Sequence, residues 1–160
     1  MISGVTICPG SSTSFTVPSA GVGYTYQWQE SNGIGSPYVN LTNTPPYSGV
    51  TTQTITLTNP PTSLYDYKYR CIATGATTIT SSTRKLRFGT TWVIHANKQW
   101  SNAANWSCGA VPDANTDVII PAGALNLPVI TSNVSCRSIT ASAGSVITVN
   151  TGVKLTITGN

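Results

Sequence analysis

Charged residues are scarce in this chain of 160 residues. They make up 8% of the sequence, against about 25% in typical soluble proteins. The basic residues are too sparse for the dense stripe that nucleic-acid-binding proteins carry, so we expect no nucleic-acid partner. Their one cluster is Arg84, Lys85 and Arg87. An extended strand would turn Lys85 away from both arginines, which favours a solvated strand edge over a binding patch.

Long apolar runs and helical patterns are also missing. The longest apolar runs, such as Val118–Ile120, are far shorter than the roughly 20 residues that cross a bilayer, so we expect no membrane span. No stretch repeats apolar residues at helical spacing, whereas Thr, Val, Ile and Tyr are common and 14 Gly and 10 Pro punctuate the chain. Since 39% of the residues are hydrophobic, a core can form, and we predict an all-β protein.

Residues that could perform catalysis are few. The chain has one histidine, His95, and four acids, Glu30, Asp66, Asp113 and Asp117. No acid is placed to orient His95, and the loop around Asp113 and Asp117 gives no reason for two carboxylates to face one bond. We therefore expect no enzyme and no required cofactor. We expect Asp113 and Asp117 to cap turns; they are also weak candidate Ca²⁺ ligands, because two acids are a small ligand set.

The four cysteines are Cys8, Cys71, Cys108 and Cys136. No two of them form a C-x-x-C pair, so a zinc site has no support. An even number of cysteines in a chain of low charge favours two disulfides and an oxidising compartment, with four buried thiols as the alternative. The start of the chain lacks a basic and apolar leader. We expect a segment of a longer secreted protein.

The first half contains about seven short strands with alternating polarity. Trp28 lies in the middle of one of them, and Tyr69 precedes Cys71 by two residues in another. Together these features resemble an immunoglobulin-like domain, which implies a β-sandwich over residues 1–89 with Trp28 between its sheets. Phe15 stands where that family places the partner of Cys71. The resemblance therefore implies a shifted bridge between Cys8 and Cys71.

The second half, residues 90–160, opens with a cluster of aromatic and amide side chains. Exposed indoles stack on sugar rings and amides bind sugar hydroxyls, so Trp92, Trp100, Trp106 and Asn105 form a candidate carbohydrate-binding set. The core is the preferred place for these indoles, since side chains of this size are usually buried, and the binding set is kept as the second interpretation.

An eight-residue repeat ends the chain. Ile139, Ile147 and Leu155 recur at this spacing with glycines between them, and we expect them to stack in register. A short repeat unit of this kind can bury its row of apolar side chains only by packing against an adjacent unit. We predict the start of a β-solenoid with parallel strands, with an antiparallel meander as the alternative. The repeat still runs at Asn160, so we expect the parent chain to continue.

Several strings in the second half also match a known type of module. Asn105-Trp106, Val111-Pro112 and Ile120-Pro121, followed by Gly-punctuated strands, resemble a Trp-rich, solenoid-like module of secreted and surface proteins of the Bacteroidetes. The first half is similar to the immunoglobulin-like modules of such proteins. The resemblance implies export to the bacterial cell surface and names no activity.

These observations lead to one preferred function and one alternative. The preferred function is a non-catalytic structural or adhesive segment of a large exported cell-surface protein. Its partners would be other domains of the same chain and, beyond them, glycans or a surface. The alternative is a carbohydrate-binding accessory region of a secreted polysaccharide-degrading enzyme.

Overall fold

The computed structural model describes residues 3–33, 35–93, 97–124 and 126–159. The chain divides into two compact units, Met1–Arg87 and Phe88–Asn160. The described residues form strands and two short 3₁₀ helices, Thr62–Leu64 and Ala103–Asn105, so the all-β prediction is confirmed. None of these helices has the length and apolar character that a membrane-spanning helix needs.

The first unit contains strands of two to eight residues. They are β1 (Ser3–Ile7), β2 (Thr13–Thr16), β3 (Thr25–Ser31), β4 (Val39–Asn40), β5 (Tyr47–Ser48), β6 (Thr54–Leu57), β7 (Lys68–Thr74), β8 (Thr78–Thr80) and β9 (Arg84–Thr91), of which β9 continues into the second unit.

Two sheets face each other in the first unit, as in an immunoglobulin-like sandwich. One has the order β2-β6-β5. In the other, β3 pairs with β4 and β7, β7 pairs with β8 and β9, and β1 pairs with β9. Alternation directs Ile55 and Leu57 of β6 inward, where both are fully buried, while Thr54 and Thr56 remain partly exposed. Trp28 fills the space between the sheets, and its indole N–H donates to the carbonyl of Thr52 at 3.0 Å.

The second unit is a stack of wound coils. Its further strands are β10 (Asp117–Ile120), β11 (Val129–Ile130), β12 (Val134–Cys136), β13 (Ser138–Ala141), β14 (Thr148–Val149) and β15 (Leu155–Ile157). The ladders described for these strands are all parallel: β10 lies between β9 and β13, β11 pairs with β14, and β12 pairs with β15. Paired residues lie about 20 residues apart in sequence. This is the solenoid arrangement, and the antiparallel meander is excluded for these strands.

The residues of the eight-residue repeat are arranged differently from the prediction. Ile139, Ile147 and Leu155 do not stack on one another. Ile139 pairs with Val118 and Leu155 with Val134 of the preceding coil. All three repeat residues pack against one core cluster, so they lie on successive sides of a single coil. Glycines with positive φ, at 81° for Gly144 and 78° for Gly152, occupy the turns between these sides, because a left-handed backbone suits glycine best.

The inward side chains of the second unit are fully buried in the middle coil and partly exposed in the coil that follows it. Val118, Ile120, Ile130 and Cys136 of the middle coil are fully buried. In the last coil, Ile157, which pairs with Cys136, keeps 54% of its surface exposed. A coil therefore buries its inward row when another coil covers it.

Candidate functional site

The three indoles of the candidate carbohydrate-binding set lie in the core of the second unit. Trp92, Trp100 and Trp106 expose only 1%, 1% and 2% of their surface. Trp106 meets the other two edge to face, with ring centroids 5.0 Å from Trp92 and 4.7 Å from Trp100. This geometry is favourable between aromatic quadrupoles. No ring face is left for a sugar, so the three indoles are core, as the preferred interpretation had it, and the candidate carbohydrate-binding set is corrected.

Two of the three indole N–H groups of this aromatic cluster donate to backbone carbonyls. The indole N–H of Trp92 donates to the carbonyl of Asn126 at 2.7 Å, and that of Trp106 donates to the carbonyl of Trp100 at 2.8 Å. Buried indoles with their N–H groups bonded in this way stabilise the fold.

Asn105, the fourth member of the predicted set, is also buried. Its amide donates to Oδ1 of Asn97 at 2.8 Å and to the carbonyl of Gln99 at 2.9 Å. Two bonds to the preceding loop hold that loop against the 3₁₀ helix that ends at Asn105. The residue organises its own loop, and the structure does not present it to a ligand. His95 lies outside the described residues.

The cysteines pair differently from the prediction. Cys8 and Cys108 are disulfide-bonded, whereas Cys71 and Cys136 are free and buried. The bridge between Cys8 and Cys71 and the assignment of all four cysteines to disulfides were therefore wrong. Cys71 lies opposite Trp28 inside the sandwich. Phe15, which stands where the resemblance places the partner of Cys71, is buried, and its ring stacks on that of Tyr69 with 5.4 Å between the ring centroids.

The two free thiols are protected from ionisation. Burial raises the pKa of Cys71. Burial, together with the negative charge of Asp117, raises the pKa of Cys136 to about 11. Thiolates are the nucleophilic and metal-binding form of cysteine, so both residues act as small apolar side chains near neutral pH.

Asp113 and Asp117 are used in local turns and strand pairing. Oδ1 of Asp113 accepts hydrogen bonds from the backbone N–H of Asn115 at 3.0 Å and from the hydroxyl of Thr116 at 2.7 Å. Oδ1 of Asp117 accepts from the hydroxyl of its strand partner Ser138 at 2.5 Å. Among the described residues, no three His, Cys, Asp or Glu side chains are grouped to hold a metal ion. The expected turn capping describes Asp113, and the candidate Ca²⁺ site has no built ligand set there.

Sequence reasoning missed a buried cluster of hydroxyl and carboxyl groups in the first unit. Tyr47 donates to Oε2 of Glu30 at 2.5 Å and shares a hydrogen bond of 3.4 Å with the hydroxyl of Tyr69. Burial is the main cause that raises the pKa of both tyrosines above the ordinary range. No local sequence signal could have revealed this cluster, because its members come from three different strands.

The sequence prediction also wrongly assigned Lys85 and Arg87 to opposite faces of their strand. In β9, Leu86 and Phe88 face inward and are fully buried, so Lys85 and Arg87 share the opposite face. Both contact the carboxylate of Asp66, at 3.7 Å and 2.9 Å. The prediction that Lys85 points away from both arginines was therefore wrong, because alternation in a strand separates positions 84 and 87 and unites positions 85 and 87.

Arg70 of β7 is held in place on the same outward face. Its Nε donates to Oε1 of Gln29 at 2.8 Å, and its guanidinium carbon lies 3.8 Å above the ring of Tyr38. Gln29 in turn donates to Asn40 at 2.8 Å, and the hydroxyl of Tyr38 is bonded to that of Thr83 at 3.0 Å. The guanidinium of Arg70 is thus held by a ring stack and a hydrogen bond.

Comparison with known proteins gives one family match and distant structural likenesses. Solved structures similar to the chain include the N-terminal eight Ig domains of Down Syndrome Cell Adhesion Molecule (DSCAM) isoform 1.30.30 and the N-terminal four Ig domains of Dscam1 isoform 8.4. Both have a TM-score of 0.47 and 11% identity. The aligned region covers 56% of this chain and 14% of the first structure, and 57% of this chain and 24% of the second.

The chain thus spans a small part of either structure. No curated protein matches it. The family model described as a domain of unknown function (DUF8693) matches residues 91–160, which lie within the second unit.

Proposed function

We propose that this chain is a non-catalytic structural and adhesive segment of a large exported cell-surface protein. The proposal rests on one observation: the side chains that could bind or react with a ligand are buried or hydrogen-bonded within the chain. The indoles of Trp92, Trp100 and Trp106 are core, and Asp113 and Asp117 bind local hydroxyl and amide groups. A catalytic site needs acids or nucleophiles that converge on one substrate, and these groups are engaged in folding.

The construction of both units supports an extracellular role. Both units are built from paired strands, and backbone held in a strand ladder opens to proteases less readily than an unpaired segment. Disulfide-bonded cysteines are typical of oxidising compartments outside the cytoplasm. The resemblance of both halves to modules of exported Bacteroidetes proteins names the same place, the bacterial surface.

The test is the location of the parent protein on intact cells. An antibody raised against this chain should label unpermeabilised cells, and brief protease treatment of those cells should remove the label. The control is an antibody against a cytoplasmic protein, whose signal should survive the protease. Labelling that appears only after permeabilisation would contradict surface exposure.

The alternative, a carbohydrate-binding accessory region, loses the residues on which it was based. Burial of the three indoles removes the stacking platform that the second half would offer to a neutral sugar. We therefore place adhesion in the first unit, whose outward sheet face carries charged and amide side chains.

A further inference from the structure

The basic residues of the first unit are concentrated on two neighbouring strands. All five of them lie on β7 and β9: Lys68, Arg70, Arg84, Lys85 and Arg87. The same unit contains two acids, and one of them, Glu30, accepts a hydrogen bond from Tyr47. Asp66 is the acid that contacts the basic residues. This distribution leaves a positive surface, here called the basic face, made of Lys68, Arg70, Lys85 and Arg87.

The strand register places like charges next to each other on the basic face. Lys68 and Lys85 are direct cross-strand neighbours in the antiparallel pair of β7 and β9. Like charges in this position destabilise a sheet. Asp66 contacts Lys85 and Arg87, while the amine of Lys68 donates to the carbonyl of Gly33 at 3.3 Å. The pairing of Lys68 with Lys85 does not stabilise the fold, so we look for its role in binding an anionic ligand.

Arg70 gives the basic face one guanidinium group whose orientation is fixed. The bond to Gln29 and the stack on Tyr38 hold its guanidinium, and within the described residues its terminal Nη groups make no hydrogen bond. The fork of an arginine matches the two oxygens of a carboxylate. Because the side chain is already ordered, less conformational entropy is lost when the fork binds an anion.

The neighbours of Arg70 decide the class of ligand. Gln29 and Tyr38 contact the guanidinium, and each has a polar partner of its own: the amide of Asn40 for Gln29 and the hydroxyl of Thr83 for Tyr38. Such groups bind the hydroxyls of sugars. From this combination we infer that the basic face binds a carboxylate-bearing polysaccharide, with Arg70 on a carboxylate and Lys68 and Lys85 on neighbouring repeats. This inference rests on the adhesive part of the proposed function and gives it a partner.

A polymer fits the spacing better than a single anion. Residues two apart along β7 are about 7 Å apart, and neighbouring strands lie about 5 Å apart. The cations therefore form a short row, and a chain with one carboxylate on each sugar meets several of them at once. Multiple weak contacts of this kind give binding that salt weakens.

The experiment uses the purified full chain and polygalacturonate, with uncharged dextran as the control polymer. Retardation in affinity electrophoresis should occur with polygalacturonate at about 20 mM salt, should weaken at about 150 mM, and should be absent with dextran. Arg70→Gln should weaken binding about tenfold, and Lys68→Gln about threefold. Arg70→Lys keeps the charge but loses the fork and the ring stack, so it should still weaken binding several-fold.

Lys154→Gln is the matched control, since Lys154 is an exposed cation of the second unit. It should change binding less than twofold, and circular dichroism should confirm that each variant is folded. The inference is overturned by absent retardation at low salt, by an equal loss for Lys154→Gln and Arg70→Gln, or by tighter binding to duplex DNA. Each of these results would leave the surface labelling of intact cells unaffected, so failure here is distinct from failure of the proposed function.

Discussion

The two units bury apolar surface in different ways from the same kind of sequence. In the first, two sheets enclose Trp28, and β2 with β6 and β3 with β7 form antiparallel pairs. In the second, the chain winds around its own core, and the parallel partners of β10, β11 and β12 follow them by about 20 residues. A sandwich closes its core with a second sheet, whereas a coil needs a neighbouring coil. Alternation of polar and apolar residues along a strand therefore does not by itself decide between a sandwich and a stack of coils.

The largest effect should come from removing an indole from either core. Trp106→Ala should lower the free energy of unfolding of the second unit by about 3–5 kcal/mol, since it deletes the ring that contacts both other indoles. Trp28→Ala should have an effect of similar size on the sandwich. Hydrogen exchange of β10–β15 and of β2–β7 measures the two effects separately. A loss below about 1 kcal/mol for Trp106→Ala would mean that the aromatic cluster is not packed as described.

A second pair of variants sharpens the contrast between the inside and the outside of a coil. Ile120 is fully buried, and its neighbour Ile119 is 47% exposed. Ile120→Ala should cost about 2–5 kcal/mol, whereas Ile119→Ala should stay within about 0.5 kcal/mol. Denaturant unfolding followed by tryptophan fluorescence measures both. Equal losses would contradict the assigned orientation of β10.

Alkaline pH should weaken the second unit through its buried thiol. The pKa of Cys136 is raised to about 11 in the folded chain from its ordinary value of 9.0. The unfolded state therefore releases its proton first, and the free energy of unfolding falls as the pH rises from 9 to 11. Denaturation curves across this range should show the decline.

Cys136→Val is the control for the alkaline decline, since it keeps an apolar side chain at the site and removes the titration. The slope that Cys136 contributes between pH 9 and 11 should disappear in this variant. An unchanged slope would assign the decline to other groups, such as the buried tyrosines of the first unit.

The smallest effect concerns the turn at Asp113. Asp113→Ala should cost about 1 kcal/mol because it removes the acceptor of two hydrogen bonds. Asp113→Asn keeps a side-chain oxygen and should cost less. Thermal unfolding with and without Ca²⁺ should give the same midpoint for the original chain. A rise with Ca²⁺ would restore the metal-binding role of this loop.

Local patterns predicted much of the fold and little of the site. Alternation with frequent Gly and Pro indicated strands, and the placement of Trp28 with Cys71 indicated the sandwich core. The same reasoning favoured the core for Trp92, Trp100 and Trp106 but kept them as a candidate ligand platform, and it predicted that the residues of the eight-residue repeat stack on one another. Both depend on which distant strand covers a residue, and a local pattern carries no information about that partner.

The sequence by itself determined that this chain forms strands, where they turn, and which of their residues are apolar, because these properties depend on neighbours a few residues away. Only the tertiary structure decided which cysteines are disulfide-bonded and that Lys68 faces Lys85. It also decided that the indoles of the second unit lie inside. The physical reason is that strand register and burial are set by contacts between segments far apart in the chain.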